Sequence, residues 1–147
     1  MSLSARAAAC AVGVAVLTSS APALANPAPA ARSGVPVAFC KAAATSTKDL
    51  IAFRSATTVK SLRAKQAVAD RDLSHVIALA PGPKAAAAAR AVKRDTDAIV
   101  ALVASDPSGR RPGTRAALQR LAKQGRTDGR AFGLRARALG CAPYFRG

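Results

Sequence analysis

Cys40 and Cys141 stand at opposite ends of the part of the chain that carries helical periodicity, and no other feature constrains the fold as tightly. The third cysteine, Cys10, falls in an N-terminal stretch ordered like an export signal: Arg6, then apolar residues 7–17, then small residues closing on Ala23-Leu24-Ala25. Cleavage after Ala25 is expected, which leaves Cys40 and Cys141 as the thiols of the exported chain, where disulfides persist. Two thiols allow one intramolecular pairing, and closing so long a loop is worth roughly 4–5 kcal/mol in the chain-entropy account. Neither cysteine has a second cysteine three residues away or a nearby histidine, so a redox pair or a metal site has no motif behind it. The apolar stretch falls short of the roughly 20 residues of a membrane anchor. Cys10 opens that stretch, whereas a lipid-modified cysteine would follow it.

Residues 26–36 place Pro27, Pro29 and Pro36 among small residues and are read as a flexible leader, with one domain over 37–147. Within that domain Phe39, Ala43, Leu50 and Phe53 predict a first helix over 37–54. Val59, Leu62, Gln66, Ala69, Leu73, Val76, Ile77 and Ala80 predict a second, with Gln66 as the polar exception and Thr57 as its cap. Pro81-Gly82-Pro83 ends it, with Gly82 suited to the position after a helix and Pro83 to the first turn of the next. A third helix over 83–104 opens on Ala85 to Ala89, where alanine favours helix without much burial, and aligns Val92, Ile99, Leu102 and Val103. A loop through Asp106-Pro107 and Pro112-Gly113 leads to a fourth helix capped by Thr114 and ending at Gly140. No alternating strand pattern is present. Aromatic residues are 3% of the chain and Trp is absent, so the core must come from Ala, Val, Leu, Ile and four Phe. The expected fold is all-α, an antiparallel four-helix bundle closed by one disulfide between its first and last helices.

The fourth helix carries Gly125, Gly129 and Gly133 four residues apart, each costing about 1 kcal/mol relative to Ala. They mark either a ridge that lets a neighbouring backbone come close or a kink near Thr127 to Gly129. At about 100° per residue from Arg115, Leu118, Leu121, Gly125, Gly129, Phe132, Ala136 and Leu139 occupy an arc near 240–320°, the side to be buried. On the same wheel Arg115, Arg120, Lys123, Arg126, Arg130 and Arg137 fall near 0–140°, leaving Leu134 and Arg135 as misfits.

The chain carries a net +16, and residues 110–147 hold ten Lys and Arg against Asp128 alone. A dense cationic face attracts phosphates and carboxylates, and arginine clamps them with paired hydrogen bonds. For an exported protein the expected partner is an anionic envelope polymer or an anionic lipid surface. Few aromatics to stack bases, and no helix-turn-helix or zinc signature, argue against nucleic acid.

For catalysis the inventory is poor. The chain has no Glu, and His75 stands in Leu73-Ser74-His75-Val76 without a matched carboxylate or second ligand. Asp70 and Asp72, and Asp95 and Asp97, stand two apart and so point to different sides of a helix. They are read as balancing Arg71, Lys93 and Arg94 locally, and Asp49 as balancing Lys48. No enzyme, metal or cofactor is expected. Two alternatives are a haem or small-ligand protein that uses the interhelical space through His75, and a secreted chorismate-mutase-like enzyme. The second would need arginines turned into an interhelical cavity, and such sites also use a Glu or Gln, whereas Gln66, Gln119 and Gln124 form no recognisable pattern.

The alanine-rich export signal, Phe39-Cys40-Lys41, Ala80-Pro81-Gly82-Pro83-Lys84, Asp106-Pro107 and Gly140-Cys141 together resemble a group of small exported actinobacterial proteins of unknown function. That resemblance implies a disulfide-tied four-helix bundle and no known activity. Mycobacterial haemophore-like proteins share export and two cysteines, but their characteristic tyrosine and His-Pro segment have no counterpart here.

Overall fold

A computed structural model describes residues 37–145. The expected signal peptide and leader, residues 1–36, lie outside the described residues. Among the described residues four helices follow one another, α1 (Val37–Arg54), α2 (Val59–Leu79), α3 (Pro83–Ser105) and α4 (Thr114–Ala138), and a 3-10 turn, Ala142–Phe145, comes after α4. Among the described residues there is no strand. The expected all-α four-helix bundle is what forms.

Each boundary has a local cause. Thr58, not Thr57, caps α2: its backbone is extended, its Oγ1 accepts from the Ser61 N–H at 3.1 Å, and Ser61 Oγ accepts from the Thr58 N–H at 3.2 Å. Thr58 also supplies the first helical carbonyl, to the Leu62 N–H at 2.9 Å, which leaves Thr57 one residue too early. Gly82 is the extended N-cap of α3 rather than a left-handed terminator of α2, and Pro83 takes the first helical position, where its missing N–H costs nothing. Thr114 lies inside α4 rather than capping it, because Gly113, at φ +86°, holds the cap position.

α4 ends in a Schellman turn. Gly140 adopts φ +87°, its N–H donates to the Arg137 carbonyl at 2.9 Å, and the Cys141 N–H donates to the Ala136 carbonyl at 3.0 Å. That reversal folds the chain back onto α1, where Cys141 bonds to Cys40 with the two Cα atoms 5.0 Å apart. Both cysteines are fully buried.

Helices adjacent in sequence pack on one another, and the 3-10 turn packs on α1. The main core joins all four: Phe39, Cys40, Ala43 and Leu50 from α1, Ala69, Leu73 and Val76 from α2, Ala85, Ala89 and Val92 from α3, and Phe132 and Ala136 from α4, with Cys141. A second cluster at the opposite end gathers Phe53, Ile99 and Val100. Ala85, Ala86 and Ala89 are buried, contrary to the expectation of little burial, because the small side chain lets helices approach where few large apolar residues exist to fill a gap. Two buried hydroxyls are satisfied within their own helices, Ser46 Oγ on the Ala43 carbonyl and Thr96 Oγ1 on that of Val92.

Candidate anion-binding face

α4 is helical without interruption from Thr114 to Ala138, so the glycines make no break. Gly125 and Gly129 are buried, whereas a Cβ on Gly133 would meet nothing within 4 Å. Burial of the first two fits a close-packed ridge, and the open space beside the third does not. Gly125, Gly129, Phe132 and Ala136 are buried as the wheel required, joined by Ala122 and Thr114. Leu118, Leu121 and Leu139 are partly buried against the core.

The opposite side is cationic. Arg115, Arg120, Lys123, Arg130 and Arg137 are exposed and Arg126 is half-buried. Arg135 is exposed as well, and Arg135 and Arg137 occupy the last turn, where they complement the negative helix end. Leu134, 67% exposed, follows Arg130 by four residues and precedes Arg137 by three, so it stands between them on the helix surface. The cationic region continues into the loop before α4. Asp106 accepts from the backbone N–H of Arg111 at 2.9 Å, the backbone N–H of Arg110 at 3.3 Å and Ser108 Oγ at 2.9 Å. These bonds, the Arg111 N–H foremost, hold the Asp106 carboxyl down at about 2, while both arginine side chains stay exposed.

The other six acids explain why this face keeps its charge. Each helix seam brings two carboxyl groups together: Asp49 with Asp72 between α1 and α2, Asp70 with Asp97 between α2 and α3, and Asp95 with Asp128 between α3 and α4. Arg71 Nε lies 3.0 Å from Asp72 Oδ1. Lys93 Nζ lies 3.1 Å from Asp70 and 3.2 Å from Asp97, and the Gln66 amide donates to Asp97 at 2.8 Å, which is why a polar residue interrupts the apolar pattern of α2. Asp49 thus faces Asp72 rather than Lys48. Burial, then the Asp72 hydrogen bond, pushes the Asp49 carboxyl up, and the same bond pulls Asp72 down. Burial also raises Asp70. Among the described residues, the salt bridges of these acids use Arg71 and Lys93, and none uses Arg115, Arg120, Lys123, Arg130 or Arg137.

Two further features bear on the alternatives. His75 is exposed, at a shallow groove of about 340 Å³ between α1 and α2 that is also lined by Ala38, Lys41, Ala42, Thr45 and Asp72. Arg54, at the end of α1, buries Nε and Nη2 without a hydrogen-bond partner, and that burial lowers its pKa. Among the described residues no group of three or more His, Cys, Asp or Glu could hold a metal ion, and no helix is long and apolar enough to cross a membrane. The loop through Asp106-Pro107 is expected from its turn-forming residues, but neither the seam pairs nor the hydrogen bonds that Asp106 accepts have a signal in the residues alone. No family model, no curated protein and no solved structure matches this chain.

Proposed function

We propose that this protein is an exported, non-enzymatic bundle that binds an anionic component of the cell envelope through the basic face of α4. The observation that carries the reading is the run of exposed, unneutralised cations Arg115, Arg120, Lys123, Arg130 and Arg137 along one continuous helix, in a chain whose acids sit in the helix seams and the Asp106 loop. Phosphate and carboxylate are the chemistry such a face takes. Arginine supplies a planar fork for either, and five cations on one rigid element act together on a polyanion without ordering a loop first. The buried disulfide suits a protein that works outside the reducing cytosol.

The test is salt-dependent retention of the purified protein on isolated cell wall and, separately, on vesicles containing an anionic phospholipid. Retention that falls steeply with ionic strength, and is lost on charge reversal at Arg115, Lys123, Arg130 and Arg137, supports the reading. Retention on neither material, or retention indifferent to those substitutions, removes it. The arm that retains the protein tells polymer from lipid.

A further inference from the structure

Three helix seams in this bundle each set one carboxyl against another, and they differ in what stands between the two. In the α1/α2 seam Arg71 Nε lies 3.0 Å from Asp72 and, among the described residues, no salt bridge reaches Asp49, whose Oδ2 is likewise buried without a hydrogen-bond partner. In the α2/α3 seam Lys93 Nζ bridges Asp70 and Asp97 at 3.1 and 3.2 Å. In the α3/α4 seam, among the described residues, no cation bridges Asp95 and Asp128. The Gln124 amide donates to Asp128 Oδ2 at 3.0 Å, and Arg94, next to Asp95 in the chain, contributes its field without a bond. Asp95 Oδ2 is nevertheless buried and meets no N–H or O–H donor. Two carboxylates offer acceptors alone, so an orphaned oxygen here is satisfied once a proton lies between the groups.

We propose that Asp95 and Asp128 share a proton that latches α4 onto α3 in mildly acidic surroundings, and that losing this proton toward neutral pH loosens the same seam. The charged groups facing Asp95 are Asp128 from α4 and Arg94 on its own helix. Lys93, Asp97, Asp70 and Gln66 form the separate α2/α3 cluster, because residues two apart on α3 point to different sides. Burial first, and Asp128 second, push the Asp95 carboxyl up to about 6 from 3.8. The sign follows. A carboxyl whose folded pKa exceeds its unfolded one binds more protons in the folded state, so its stabilisation is complete below 3.8 and fades as pH rises through about 6. The seam matters because α4 is the helix that bears the basic face, although the latch stands whether or not that face binds anions.

The experiment is denaturant unfolding of the oxidised protein at pH 5 and pH 7.5, beside Asp95→Asn and Asp128→Asn. The unfolding constant of the unsubstituted protein is expected to rise about tenfold between the two pH values through this pair. In Asp95→Asn that contribution disappears, because the amide donates to Asp128 at either pH, and the variant is the more stable protein at pH 7.5. Subtracting the variant from the parent cancels Asp49 and Asp70, whose carboxyls are raised in both. A second reading comes from the Asp95 carboxyl carbon by NMR, with a midpoint near 6 expected. An identical pH response in parent and Asp95→Asn, or an Asp95 carboxyl carbon titrating wholly below pH 4.5, overturns the proposal.

Discussion

The backbone N–H of Cys141 donates to the carbonyl of Ala136 at 3.0 Å, and this bond, closed over the left-handed Gly140, aims the second half-cystine at α1. Turn and disulfide therefore act in series. A Cβ at φ +87° is strained, so Gly140→Ala is expected to destabilise the fold by about 1 kcal/mol or more. It should also slow oxidative refolding, measured by thiol trapping during refolding. Gly140→Asn, which tolerates the left-handed region better, should lie between alanine and the parent.

Removing both sulfurs tests the staple itself. Cys40→Ala with Cys141→Ala should cost roughly 2–5 kcal/mol in denaturant unfolding, the range for losing a native disulfide from a small domain. A loss well under 1 kcal/mol would mean that the alanine-rich core holds the chain ends without it.

Gly133 predicts a gain. It lies within α4, half-buried, with no atom near the place of a Cβ, so Gly133→Ala restores helix propensity without a clash. The expected stabilisation is about 0.5–1 kcal/mol, read as a rise in the unfolding midpoint. Gly125 and Gly129 are buried, and alanine there should give no such gain.

Asp106 sets the acid limb of stability. Its carboxyl titrates at about 2 in the fold against 3.8 ordinarily, chiefly through the N–H of Arg111, so its stabilisation is complete above 3.8 and lost as pH falls toward 2. Asp106→Ala should lower the melting temperature at pH 7 and flatten the fall between pH 4 and 2. Calorimetry across that range checks both.

The basic face predicts affinity rather than stability. Replacing Arg115, Lys123, Arg130 and Arg137 with Ala removes about 1 kcal/mol each at an anionic surface, so two to three orders of magnitude in binding should vanish. Circular dichroism should stay unchanged, because all four side chains are exposed. Vesicle co-sedimentation at several salt concentrations measures the effect.

The helices were legible in the residues because their signals are local. Phe39, Ala43, Leu50 and Phe53 mark a buried stripe at helical spacing, and Pro81-Gly82-Pro83 stops the chain wherever its neighbours lie. The basic arc of α4 was legible for the same reason, since a wheel needs one helix and no partner. That Asp70 and Asp72, or Asp95 and Asp97, diverge also follows from one helix. What each carboxyl meets does not: Asp72 turns to Asp49 and Asp70 to Asp97, while Asp95 turns to Asp128. Those meetings depend on how neighbouring helices slide and rotate against one another, which small alanines permit to be close and which no periodicity encodes. Tertiary packing alone placed carboxyl against carboxyl and left the arginines of α4 facing outward.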